Sequence, residues 1–290
     1  MNIEILFQKS FARFKERFLA YLIVAVMGWG LALLFGLGTL ILTGIVVGIW
    51  FVTKLVALTV LFGVAAGLVS LCALIYIGSW IQLATYDTLI STKKLPPFEV
   101  YKRVKPLVGG YVYFSIVLGL FLIGLLPLTL LSLFIVAILW NLWGIFSVFV
   151  YLEKQKKGLE NLWISRSMVN QKFWPIAGLV LLVLVFIVLV SALFFQAKSG
   201  FLVSFVSQFV ITPFVTALYY ELYLTLKQPA KAKPASVWVG LSILGILVMV
   251  VGSIIGFQVL GKAGSDFMRT NPSQNGIYKK LPSLSPTVAG

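Results

Sequence analysis

The sequence predicts an all-α, polytopic transmembrane bundle of about seven spans: six in three hairpins, each preceded by a cytoplasmic amphipathic helix, and one C-terminal span. Three observations predict it. Of 290 residues, 60% are hydrophobic and 11% charged, with a mean hydropathy of +1.05. That is too little polar surface to cover a soluble domain of this size. Residues 107–152, 173–197, 199–220 and 235–261 contain no Asp, Glu, Lys or Arg. Runs of about 20 apolar residues span a bilayer as helices, and these lack the alternation of barrel strands. Finally, 23 Lys and Arg stand against 8 Asp and Glu, a net charge of +15. In a membrane chain such an excess marks cytoplasmic loops rather than a nucleic-acid partner.

The cations cluster at Lys9–Arg17, Lys93–Lys105, Lys154–Lys172 and Lys227–Lys233. If all four clusters share the cytoplasmic side, an even number of spans separates neighbours. The expected spans are then 18–40, 57–88, 108–126, 129–151, 174–196, 201–226 and 236–261, with a cytoplasmic N-terminus. Pro127 and Lys198 fall at outer turns. Lys54 is the only charged residue between Phe18 and Tyr86. With 41–56 as an outer interfacial connection, Trp50 and Phe51 reach the headgroups and Lys54 reaches water. Four short spans across 18–86 are the alternative. Residues 1–261 thus form one transmembrane domain. The tail 262–290, rich in Gly, Ser, Pro and Asn, is expected to be disordered. No cleavable signal peptide is expected, because the first apolar stretch is far longer than a signal's apolar region.

Each of the first three clusters reads as an amphipathic helix before a hairpin, a repeated design. The apolar stripes are Ile3, Phe7, Phe11, Phe14 and Phe18; then Phe98, Tyr101 and Val104, ended by Pro106; then Leu159, Leu162, Val169 and Phe173. Such helices lie in the interface with their cations toward anionic headgroups. The even-numbered spans end in Tyr86-Asp87, Tyr151-Leu152-Glu153 and Tyr220-Glu221. Asp87, Glu153 and Glu221 either pair with cations of neighbouring interfacial helices or ring a cytoplasmic mouth that attracts a cationic ligand.

The sixth span carries a polar stripe: Ser204, Gln208, Thr212, Thr216 and Tyr220, one every four residues. Pro213 within it predicts a kink whose freed carbonyl nearby hydroxyls help to satisfy. The stripe either lines a cavity or bonds helices together, at roughly 0.6–2 kcal/mol per bond. Ser79, Gln82 and Tyr86 share a side of the second span, and Asn141 lies in the fourth. Gln82 reads as closer to the cytoplasm than Gln208 or Asn141. Close helix contacts are expected at Gly28, Ala32 and Gly36, at Gly63 and Gly67, and at Gly252 and Gly256.

With no histidine and one cysteine, Cys72, intrachain disulfides, His metal sites and histidine-based nucleophile systems are excluded. Cys72 is expected to serve packing. No phosphate- or dinucleotide-binding glycine motif occurs. No catalytic residue, metal ligand or cofactor is therefore expected. The expected partners are anionic lipid headgroups and either a second copy or another membrane protein.

Two segments resemble a known family. In "LENLWISRSMVNQKFWPIAGLVLL", residues 159–182, the matching features are Leu162, Ser165, Ser167 and Phe173-Trp174. In "ITPFVTALYYEL", residues 211–222, they are Pro213-Phe214 and Tyr219-Tyr220-Glu221-Leu222, with Glu221 where aspartate is more usual. Residues 90–226 resemble the bacterial glycerophosphoryl diester phosphodiesterase membrane-domain family. The resemblance implies a polytopic inner-membrane module with interfacial helices and no established reaction. The hydrolase activity belongs to a separate soluble domain that needs histidines, which this chain lacks.

Overall fold

The computed structural model describes residues 3–91, 95–132, 134–156, 158–196, 204–226 and 234–270. They are helical almost throughout, with no strand. Lys93, Lys94, Lys157, Lys198, the fourth cation cluster and residues 271–290 lie outside the described residues. Six helical segments are long and apolar enough to cross a membrane: 3–52, 56–90, 97–124, 135–154, 173–192 and 236–260. The protein is thus an all-helical chain compatible with a multi-pass membrane bundle.

Helix α1 runs unbroken over Ile3–Thr53. The expected interfacial connection 41–56 does not exist: its first 13 residues continue α1. They include no proline and no charge, so no residue there removes a helical hydrogen bond. At 1.5 Å per residue α1 is about 76 Å long, well over twice a hydrocarbon core of about 30 Å. Lys54 turns the chain in a left-handed conformation, φ 55°, with its ammonium 4.9 Å from the Trp50 ring centre and 5.2 Å from that of Phe51. Helix α2, Val56–Ile90, returns along α1.

Pro106 does not end a helix. It sits inside α3, Pro97–Gly124, on an exposed face where the lost hydrogen bond is best tolerated. The expected span 129–151 is instead three short helices: α4 Leu126–Leu131, α5 Ile135–Gly144 and α6 Ser147–Lys154. Phe134 takes a left-handed conformation between α4 and α5. The α5–α6 break is held from outside by Ser165 of α7, Glu160–Gln171. Its buried hydroxyl accepts the Phe146 N–H at 3.1 Å and donates to the Trp143 carbonyl at 2.5 Å. Both freed backbone groups are thereby satisfied.

That role corrects the reading of α7 as an interfacial helix. Leu162, Trp163, Met168 and Val169 are buried, because α7 folds back on α5 and α6. The first amphipathic stripe also meets protein: Phe7 and Phe14 pack on Phe214 at 6.2 and 5.9 Å. Only part of each stripe stays outside, as with Phe11 and Phe98.

Helix α8, Phe173–Gln196, follows the expected span. At Pro213 the irregularity is a π-turn, Ser207–Ile211, leading into α9, Thr212–Thr225. The Thr212 hydroxyl donates to the Ser207 carbonyl at 2.9 Å and the Tyr21 hydroxyl to the Gln208 carbonyl at 3.0 Å. Helix α10, Ser236–Thr270, extends nine residues beyond the expected end at 261.

The main core centres on Trp140 of α5. Its ring meets Phe121, Trp143, Trp163 and Trp238 edge-on at 4.8 to 5.7 Å. Such pairs contribute about 0.5–1.5 kcal/mol each beyond area burial, and here they join α3, α5, α7 and α10. A second core packs Val24, Leu83, Val100, Val104 and Phe114 around Tyr101 and Tyr151.

The closest backbone approach is at Gly124 and Gly245, where α3 and α10 leave no room for a Cβ. The Ser242 hydroxyl there donates to the Phe121 carbonyl at 2.9 Å. Of the small-residue sites expected from spacing, Gly28 is tight, against Ile81 and Tyr101. Gly36, Gly67, Gly252 and Gly256 face open space, and Cys72 is exposed rather than packed.

Two outcomes follow for unfolding of the purified protein in detergent. Ser165→Ala leaves the α5–α6 break unsatisfied and lowers stability by about 1–3 kcal/mol. Gly245→Val lowers it by about 1–3 kcal/mol or more, whereas Gly252→Val leaves the unfolding midpoint of the isolated chain unchanged.

Candidate functional site

A groove of about 360 Å³ lies between α1, α2 and the π-turn region. Tyr21, Ala25 and Trp29, four residues apart on α1, form one wall. Gln82, Thr85 and Tyr86 of α2 face them, and Gln208, Thr212 and Thr216 close the third side. Among the described residues, no charged side chain lines it. Gln82, Gln208 and Thr212 are exposed, so the groove opens on the flank of the bundle. The polar wall owes its position to the Tyr21 hydroxyl on the Gln208 carbonyl. That bond spans α1 and the π-turn, where the backbone has departed from regular α-helix.

The polar stripe is thus divided. Gln208, Thr212 and Thr216 line the groove, Ser204 is exposed and not among its walls, and Tyr220 faces a second cavity. Gln82 and Gln208, read from the sequence at different depths, share the groove. Asn141 does not join them: it is exposed and donates to the Ala137 carbonyl at 2.9 Å. The two glutamines belong to different hairpins. Their spacing carries no register, and the packing of α1 and α2 on the 207–225 segment brings them together.

The second cavity, about 640 Å³, is lined by Asp87, Arg103, Glu153, Tyr220 and Tyr223 among others. It gathers two of the three carboxylates predicted at one mouth, with Glu221 adjoining Tyr220. Each carboxylate has a partner. Arg103 forms an ion pair with Asp87, the Tyr223 hydroxyl donates to Glu153, and Arg13 Nε donates to Glu221 Oε1 at 2.5 Å. The Arg13 guanidinium also lies 4.8 Å from the Tyr220 ring centre. In both ion pairs the cation comes from one of the predicted amphipathic segments. Its counterpart in the third segment, Arg166, lies instead 4.7 Å from the Trp143 ring centre. Burial draws its pKa downward.

The two cavities meet at aromatic rings. Tyr86 of the groove packs edge-on against Phe149 at 5.9 Å, and Phe149 packs against Tyr220 at 5.5 Å. The Phe149 side chain is buried between them. Among the described residues no three His, Cys, Asp or Glu side chains are placed to hold a metal ion. The groove offers neutral amides, hydroxyls and aromatic faces, the chemistry of hydrogen-bonded recognition.

The Arg13–Glu221 pair, with side chains 22% and 11% exposed, is shielded enough that breaking one partner costs more than removing both. Arg13→Leu lowers stability by about 1–3 kcal/mol. Arg13→Leu with Glu221→Leu recovers part of that loss in a double-mutant cycle.

Comparison with protein-family models, curated proteins and solved structures finds no match for this chain.

Proposed function

We propose that this protein is a non-enzymatic, multi-pass module of the bacterial cytoplasmic membrane that organises lipid. Its flank groove holds the hydrogen-bonding part of an amphiphile. The observation that carries the reading is the convergence of Gln82, Gln208, Thr212 and Thr216 in an uncharged groove open on the side of an apolar bundle. Gln82 already has the Tyr86 side chain as a hydrogen-bond partner, and any polar group of the groove left without one in hydrocarbon is costly. A glycerol hydroxyl, an ester carbonyl or a headgroup amide relieves that cost while its acyl chains remain in the lipid phase. The positive-inside trend supports an N-terminus and basic clusters on the cytoplasmic side. The resemblance of residues 159–182 and 211–222 to a family whose hydrolase is a separate domain agrees with a non-catalytic role.

A second reading is a transporter with a polar path along residues 204–220. What favours it is the pair of polar cavities meeting at Tyr86, Phe149 and Tyr220. Those rings would then act as a gate between the groove and the carboxylate-lined cavity.

Replacing Gln208 and Thr212 with leucine removes two hydrogen-bonding groups, an expected loss of about ten-fold in retention of bound lipid. Lipid extraction and mass spectrometry of the purified variant measure it. Unchanged retention overturns the lipid reading. Solute flux into liposomes that the same substitutions abolish supports the transporter instead. Turnover of a lipid or phosphodiester by the reconstituted protein would remove both.

A further inference from the structure

A third cavity, of about 470 Å³, lies on another flank of the bundle, where α1, α2 and α3 meet. Its floor is apolar: Met27, Gly30, Leu31 and Leu34 of α1, with Trp80 of α2. The polar atoms of its aromatic walls are already engaged. Trp80 Nε1 donates to the Tyr101 carbonyl and the Tyr101 hydroxyl to the Val24 carbonyl, both at 2.9 Å. Among the described residues, the only charges lining it are Lys102 and Lys105, three apart on α3 and exposed. Neither has a carboxylate partner among the described residues. The Lys102 ammonium rests 5.9 Å from the ring centre of the exposed Phe98. Arg103, between them in sequence, is occupied by Asp87.

We propose that this cavity is a binding site for one anionic phospholipid, with the phosphate held between Lys102 and Lys105 and an acyl chain laid along α1. The charge pattern selects the occupant. Two unpaired ammonium groups beside an otherwise apolar cavity, with no acid in its walls, complement a molecule that is anionic at one end and aliphatic at the other. From Met27 to Leu34 the floor extends about 10 Å along the helix axis, room for the upper part of a chain. Gly30 faces open space within it: a Cβ there meets nothing within 4 Å. The proposal requires the protein to lie in a membrane but not the polar groove around Gln208 to bind anything.

The test uses the full chain in nanodiscs of phosphatidylglycerol and phosphatidylcholine with identical acyl chains, followed by native mass spectrometry of retained lipid. Each lysine near an anionic group contributes about a five-fold preference, so Lys102→Gln with Lys105→Gln reduces phosphatidylglycerol retention by about 25-fold. Phosphatidylcholine retention stays the same. Gly30→Phe, filling the chain slot with both lysines intact, also lowers phosphatidylglycerol retention. The lysine pair is exposed, so that variant decides the matter even if Gly30→Phe does not fold. The Gln208 and Thr212 variants leave this preference intact, which separates the two sites. Equal loss of both lipids in the lysine variant, or no loss, overturns the proposal. So does displacement of the lipid by excess inorganic phosphate, which would reduce the site to a phosphate contact.

Discussion

The constraint on which the rest of this structure depends is that backbone N–H and C=O groups away from water must find partners within the chain. Where residues 41–53 continue α1, each N–H and C=O keeps its partner inside the helix, although span length and Lys54 suggested a connection there. The same constraint explains the form of two departures from regular helix. The α5–α6 break is bridged by Ser165, and the π-turn before Pro213 is served by Tyr21 and Thr212. Both of these breaks therefore have side-chain donors or acceptors assigned to them. In the first case, and again where Tyr21 reaches the π-turn, that side chain comes from another helix, so the repair of secondary structure also sets tertiary packing.

The groove is a product of the same constraint. A regular helix through residues 204–225 would turn its polar side chains along one slowly drifting stripe. The π-turn interrupts that drift. Gln208, Thr212 and Thr216 stay against α1 and α2 while Tyr220 turns to the carboxylate-lined cavity. Proline, which cannot donate a hydrogen bond one turn back, thereby accompanies a site rather than merely a bend.

The membrane-helical class, the limits of α8 and an irregularity near Pro213 were legible in the sequence, because each depends on composition or on one residue's local chemistry. What depends on pairing was not. Periodicity reports which residues share a face but not what the face meets, so the α7 stripe looked interfacial although it packs on α5 and α6. Glycine spacing pointed to Gly252 and Gly256, while the contact that excludes a Cβ is at the isolated Gly245, whose partner is 121 residues away at Gly124. Gln82 and Gln208 failed to look like one site for the same reason. The acids were more accessible to reading, since the repeated Tyr-acid endings of the even spans placed Asp87 and Glu221 within reach of arginines.

Those arginine pairs show how the ends of the bundle are tied. Arg103 joins the start of α3 to the end of α2, a bond between neighbours in sequence. Arg13 joins the start of α1 to the end of α9, closing the described chain 208 residues apart. In the third segment Arg166 rests on Trp143, and Glu153 takes a hydrogen bond from Tyr223 of α9. Helix α9 is therefore fixed at its carboxyl end by both Arg13 and Glu153, through Glu221 and Tyr223 of its last turns. Its other end is the π-turn, held by Tyr21. Since α1 supplies both Arg13 and Tyr21, eight residues or about 12 Å apart, one unbroken helix sets the length of α9 that faces the groove. A ligand in that groove lies between two anchors of the same rigid element, so its hydrogen bonds form against walls already held in place. The cost of ordering Gln208 and Thr212 then falls largely on folding rather than on binding.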